Sequence, residues 1–179
     1  MKDIISFIHI ILFAYQIFYP FIFYNYFYDI IYLLFFYVTL LSYILLKGEC
    51  IITLCFKLFN NNNYKIGSDV FNLPDIHLML PFFKEQFLQF AFLLGTLYFI
   101  YAVYKVNNRT KALPKIYIYI YSLSFIFYTL YLRKFFNEAL FNKYKVENYI
   151  QFFYILSIPF LLYSIYLLIK KLWRCKIKN

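Results

Sequence analysis

The chain has 179 residues, of which 64% are hydrophobic and 27% aromatic, and its formal net charge is +10 at pH 7. Soluble domains carry about 45–50% apolar residues, and a soluble globule of this length would expose large apolar patches to water. The composition therefore excludes an ordinary soluble domain and predicts an integral membrane protein. Because the length suits one compact unit, we expect residues 1–179 to form a single transmembrane helical domain.

Long apolar blocks separated by charged residues predict an all-α, polytopic membrane helix bundle. A spanning helix needs about 20 predominantly apolar residues. The blocks predict five transmembrane helices, at 4–23, 30–46, 87–106, 116–132 and 150–169.

The longest segment between these spans is the predicted extramembrane loop 60–86. It opens with the polar run Asn60–Asn63, which is typical of a flexible connector. Two prolines and a cluster of apolar residues follow, and they favour a position in the membrane interface.

The C-terminal tail, 170–179, is strongly basic. Such a tail favours anionic lipid at a membrane surface, whereas ten residues without a fold are a poor nucleic-acid site. The predicted interface anchors are Lys170, Lys171, Trp173 and Arg174.

The basic residues also bear on orientation, because Lys and Arg flank spans preferentially on the cytoplasmic side. The 18 Lys and Arg residues divide equally between the two sides of a five-span bundle. Those on the side of the C-terminus lie closer to the span ends, so we expect the C-terminus on the cytoplasmic or a matrix-like side.

The segment LLKGECIITL, residues 45–54, adjoins the second span and allows two interpretations. In the first, the span ends at Leu46, Lys47 reaches the headgroups, Gly48 ends the helix and 51–59 lies along the interface. In the second, one helix continues to residue 59. At about 100° per residue, six polar residues would then share one face: Thr39, Ser42, Glu49, Cys50, Thr53 and Lys57.

A polar stripe of this kind would face the interior of the bundle, where hydroxyl and carboxyl groups find partners. A carboxylate at Glu49 would then need a charged partner from another span, or a proton. Both interpretations of the segment stay open at this point.

Tyr43 followed by ILLKGECIIT resembles a segment of small uncharacterised multi-spanning membrane proteins of bacteria and large DNA viruses. In those proteins an aromatic residue precedes a Gly-Glu-Cys run that is followed by apolar residues and Thr or Ser. The resemblance covers residues 43–53 and implies a membrane fold without an assigned activity.

Three further residues, His9, Asp75 and His77, carry groups that bind metals or protons. His9 lies inside the first predicted span, and we interpret it as a structural residue that bonds to Ser6 or to another helix. Asp75 and His77 form an Asp-x-His pair, but a metal site needs further ligands. The cysteines have no metal-ligand spacing either, so the sequence predicts no metal site.

The sequence contains no nucleophile elbow, no metalloprotease helix motif and no glycine-rich phosphate loop. A haem, a quinone or a proton path would need paired histidines or chains of carboxylates, so we predict no cofactor and no catalytic residue. We expect a non-enzymatic structural or accessory component that lies in a lipid bilayer, packs against other membrane protein subunits and binds no nucleic acid. The alternative is a small membrane enzyme or carrier that uses a buried carboxylate at Glu49.

Overall fold

A computed structural model describes residues 2–61, 63–68, 73–81, 85–132 and 146–178. No residue in these ranges lies in a β-strand, and the chain is an all-α helical bundle, as predicted. Its helices are α1 (Lys2–Ile22), α2 (Tyr26–Leu45), α3 (Ile51–Asn60), α4 (Pro74–Met79), α5 (Glu85–Thr110), α6 (Lys115–Leu132) and α7 (Val146–Lys178).

Within the described ranges, three stretches of helix are long and apolar enough to cross a membrane: Asp3–Ile22, Tyr26–Leu45 and Ile155–Cys175. They lie at the first, second and fifth predicted spans and indicate a membrane-embedded protein. Helices α5 and α6 form where the third and fourth spans were predicted, and their crossing of a membrane stays a prediction.

Helices α1 and α2 are joined by a short turn whose sequence stops one helix and starts the next. Pro20 lies in the last turn of α1. The side chain of Asn25 then accepts hydrogen bonds from the backbone N–H groups of Phe27 and Tyr28, at 3.0 and 3.3 Å. This N-cap supplies acceptors for donors that the first turn of a helix leaves free, so α2 begins at Tyr26.

Helix α2 is the centre of the bundle, and it packs against α5, α6 and α7. The core contains fully buried tyrosines whose hydroxyl groups donate to backbone carbonyls. Tyr32 bonds to Gln16 O at 2.8 Å and Tyr37 to Tyr117 O at 2.9 Å. Because a buried hydroxyl without a partner is costly, these bonds let aromatic rings fill the core.

An ion pair joins the helices at the end where α1 stops and α2 starts. The guanidinium of Arg109 donates to both carboxylate oxygens of Asp29, with Nε 2.8 Å from Oδ2. Tyr19 also donates to Asp29, at 2.8 Å, and Arg109 donates to Pro20 O at 3.1 Å. Asp29 is buried, so these four residues fix α5 against the α1–α2 turn.

The basic tail does not separate from the last span, because α7 continues to Lys178. Trp173 is 67% exposed, as a membrane anchor would be. Lys171 instead donates to the backbone oxygen of Lys111 at 3.1 Å, at the end of α5. The role of Lys170, Lys171, Trp173 and Arg174 as lipid anchors stays a prediction.

Candidate functional site

The segment that follows α2 makes a sharp turn. Helix α2 ends at Leu45, Lys47 has φ of 53° and Gly48 has φ of 98°. The Gly48 N–H donates to Tyr43 O at 2.7 Å, which is the bond that closes a Schellman motif. The continuous helix to residue 59 therefore does not form, because the left-handed backbone at Lys47 and Gly48 ends α2, and α3 starts at Ile51.

Cys50 is the N-cap residue of α3. The first backbone N–H groups of a helix have no partner within it and carry its partial positive charge. The Cys50 side chain makes no capping hydrogen bond, but the N–H groups of Ile52 and Thr53 lower the pKa of its thiol. The turn at Gly48 thus places a thiol at the positive end of a helix.

His9 reaches this thiol from α1. Its Nε2 lies 3.7 Å from Cys50 Sγ, and its Nδ1 bonds to Asp75 Oδ2. Asp75 is fully buried on the short helix α4, which packs against both α1 and α3. Three separate parts of the chain therefore build one continuous series of thiol, imidazole and carboxylate.

Thr53 fixes the carboxylate end of this series. Its hydroxyl donates to Asp75 Oδ2 at 3.3 Å, and the residue is 1% exposed. Asp75 Oδ1 is buried and has no hydrogen-bond partner among the described residues. Asp75 therefore accepts from His9 and Thr53 through a single oxygen.

The environment of Cys50 changes the ionisation of its thiol. Burial by itself would raise the pKa, but the hydrogen bond and charge of His9 and the backbone N–H groups of Ile52 and Thr53 lower it below the ordinary value of 9.0. The thiolate is the nucleophilic form of cysteine, so the site favours the reactive state.

A second polar group lies beside the thiol. Glu49 is 2% exposed, and its Oε1 accepts hydrogen bonds from the Tyr64 hydroxyl and, at 3.2 Å, from the Gly67 N–H. Lys57 Nζ lies 3.6 Å from the same oxygen and donates to the Tyr64 hydroxyl at 3.2 Å. Glu49 Oε2 is buried with no hydrogen-bond partner among the described residues.

These polar groups open onto a cavity of about 320 Å³. All seven candidate polar residues of the sequence analysis line it: His9, Thr39, Ser42, Glu49, Cys50, Thr53 and Lys57. The fold thus gathers them from α1, α2, α3 and the turn before α3, whereas the continuous-helix interpretation placed six of them on one face of a single helix. Their functional assignment stays a prediction.

Most of these polar residues belong to two separate groups of side-chain contacts. Cys50, His9 and Thr53 belong to the series that ends at Asp75, and Glu49 pairs with Lys57. The Ser42 hydroxyl donates to the backbone oxygen of Thr39 at 2.7 Å, so its hydrogen bond is made within α2 and not with the other residues of the set.

Sequence reasoning missed the role of Asp75. It had paired Asp75 with His77 as a weak metal candidate within loop 60–86, whereas Asp75 bonds to His9, 66 positions away. The side chain of His77 lies outside the described residues. Within the part of the chain that is described, no group of three or more His, Cys, Asp and Glu residues is arranged to hold a metal ion.

Comparisons with protein-family models, with curated proteins and with solved structures gave no match to this chain.

Proposed function

We propose that the chain is a multi-pass membrane protein that transfers or hydrolyses acyl groups, with Cys50 as the nucleophile. The observation that carries the proposal is the contact series from Cys50 Sγ to His9 Nε2, and from His9 Nδ1 to Asp75 Oδ2. A nucleophile, a base and a group that orients the base form the general arrangement of covalent acyl-transfer sites. Such sites are recognised by geometry, because the same constellation occurs on unrelated folds.

Each residue has a defined role in the first step. The Cys50 thiolate attacks the carbonyl carbon of an ester or thioester, and the carbonyl electron pair moves onto oxygen. The free N–H groups at the start of α3 lie beside the sulfur and suit the stabilisation of this oxyanion. When the carbonyl re-forms, the alcohol or thiol leaves with a proton from His9, and the acyl group stays on Cys50 as a thioester.

The second step releases the acyl group. Water, or the hydroxyl or amine of an acceptor, attacks the thioester carbon and gives its proton to His9. The sulfur leaves as the thiolate, so no oxidant, metal or cofactor is consumed. Asp75 holds the His9 ring with Nε2 toward the sulfur throughout and is a positioning residue.

This geometry supports the enzymatic alternative of the sequence analysis more than a purely structural component, with the reacting group moved from Glu49 to Cys50. A structural role would need neither a thiol at a helix N-terminus nor a histidine oriented toward it. The position of the site also suits a membrane substrate. His9 lies about 10 Å along α1 from its start, so the site is close to one end of the bundle.

The proposal is tested by acylation of the purified protein in lipid nanodiscs with p-nitrophenyl acetate, in a Cys55→Ser, Cys175→Ser background. We expect a stoichiometric burst of nitrophenolate and a hydroxylamine-sensitive acetyl adduct on Cys50. His9→Gln should slow the burst on the order of 10²-fold or more, because it removes the group that favours the Cys50 thiolate and donates a proton in the first step. Cys50→Ala is the control for background hydrolysis.

Acylation of Cys50 at the rate of Cys55 in a variant that keeps only that cysteine would overturn the proposal. So would a burst that His9→Gln leaves unchanged while circular dichroism shows an intact fold.

A further inference from the structure

We infer that the acyl group carried by Cys50 is a long hydrocarbon chain, and that the cavity next to Cys50 holds this chain along the interior of the bundle. The inference rests on the proposed acyl transfer and names its substrate class, a membrane lipid ester or thioester.

The cavity has a polar end and an apolar end. At the polar end lie Cys50, Glu49 and the Gly48–Tyr128 contact, in which the Tyr128 hydroxyl donates to Gly48 O at 2.8 Å. Tyr43 stacks on Tyr128 with ring centroids 4.6 Å apart and marks the same level of the bundle.

Aromatic and aliphatic side chains line the other end. Phe36 and Phe99 pack with centroids 5.4 Å apart, and Phe13 meets Phe99 at 6.0 Å. Polar side chains are few here, among them Gln16, Thr39 and Tyr121. From Tyr43 to Phe36 the wall runs about 10 Å along α2, at 1.5 Å per residue.

This shape fits a molecule with a reactive polar head and an apolar chain. Pockets of roughly 300–1,000 Å³ hold small ligands, and they are mostly apolar with a few placed polar groups. A chain that enters from the polar end places its carbonyl carbon at the Cys50 sulfur. A small polar acyl group would leave most of the cavity walls without contacts.

The size of the cavity can be changed by a substitution at Gly95. It lines the cavity from α5, and among the described residues a Cβ built there would meet only Phe99 Cε2 within 4 Å, at 3.6 Å. A larger side chain at this position would therefore extend into open space and shorten the cavity. Leu97 is 58% exposed on the same helix, so Leu97→Phe adds bulk outside the cavity and serves as the matched control.

The experiment compares Gly95→Leu with wild type for acylation of Cys50 by p-nitrophenyl esters from acetyl to dodecanoyl in nanodiscs. The ratio of the two rates at each chain length cancels partitioning of the ester into lipid. We expect a ratio within about twofold of one for acetyl and a loss of tenfold or more for the longest chains. Leu97→Phe should match wild type at every length.

A second measurement does not depend on the Gly95→Leu protein folding. Wild type is acylated with an ester whose chain carries a terminal diazirine, and after illumination the cross-links are mapped. Labels on Phe99, Phe36 or Phe13 are expected, whereas labels confined to outward residues such as Leu97 would overturn the inference.

The two proposals fail in different ways. If acetyl and dodecanoyl esters acylate Cys50 equally and Gly95→Leu changes neither, the chain-binding inference is wrong and the acyl-transfer proposal stands. If no ester acylates Cys50, the acyl-transfer proposal itself is wrong.

Discussion

The sulfur of Cys50 lies 3.7 Å from Nε2 of His9, although the two residues are 41 positions apart. His9 belongs to α1 and Cys50 to the turn before α3, so the contact exists only because α3 packs back against α1. A histidine inside an apolar helix needs a polar partner, and here it has one on each side of its ring.

The pH dependence of Cys50 alkylation is the first prediction. Because the surroundings lower the pKa of this thiol below 9.0, more thiolate is present at neutral pH than in an ordinary cysteine. Alkylation by a neutral maleimide should therefore fall off at lower pH for the native protein than for the same protein denatured. The rate is measured in the Cys55→Ser, Cys175→Ser background.

His9→Gln is the internal control for this prediction. It removes the charge and the hydrogen bond that lower the pKa, so burial should prevail and the alkylation midpoint should move to higher pH. An unchanged midpoint in His9→Gln would show that His9 does not govern the thiol.

Asp75→Asn is the second prediction. The variant keeps the size of the side chain, but an amide can donate to His9 Nδ1 and hold the ring in the wrong tautomer. We expect the acetylation burst to fall on the order of 10²-fold, while the unfolding midpoint changes little. Thr53→Val, which removes the other donor to Asp75, should have a much smaller effect on the burst. Equal losses in both variants would argue for a general disturbance of α4.

The helices could be predicted because apolar blocks of spanning length occur at five places, and helices lie at all five. The end of α2 was one of two alternatives, and two successive residues with positive φ, Lys47 and Gly48, decide it. The buried state of Glu49 did not follow from its neighbours. It depends on Tyr64 and Gly67, which belong to a loop. The periodicity of apolar residues along the sequence does not predict where such a loop packs.

The pairing of His9 with Asp75 could not be predicted either, because Asp75 also lies in a segment that was expected to be a loop. A polar residue in a loop is expected to face water, because most loops lie on the surface. Helix α4 instead places Asp75 inside the bundle, at 0% exposure. One signal was available in the sequence, namely an acidic residue between apolar neighbours in a segment expected to lie at the interface. This signal could indicate that Asp75 is buried, but it could not identify His9 as the residue that bonds to it.

The Asp29–Arg109 ion pair supports the third prediction. Removing Arg109 leaves the buried Asp29 carboxylate without its charged partner, which costs about 3–5 kcal/mol, whereas replacing both residues with apolar ones is often nearly neutral. Arg109→Met should lower the free energy of unfolding by several kcal/mol, and Asp29→Leu by less, because Arg109 is partly exposed and keeps its bond to Pro20 O. The double variant should recover a large part of that loss.

The measurement is a double-mutant cycle in detergent, with unfolding followed by circular dichroism. Additive losses in the double variant would contradict the prediction, since they would mean that the two residues act separately. Cys50 acylation should persist in every variant that folds, because this pair lies at the opposite end of α1 from His9.

Gly48→Ala is the fourth prediction, and it concerns the turn that positions Cys50. A non-glycine residue held at a φ of 98° costs on the order of 1–3 kcal/mol, and a change of this backbone would shift Cys50, two residues on, relative to His9. We expect both a lower free energy of unfolding and a slower acetylation of Cys50. Gly95→Ala is the matched control, because it is the same substitution within a helix where the added Cβ has room. If Gly48→Ala were as stable and as reactive as Gly95→Ala, the turn would not be what holds the thiol at the histidine.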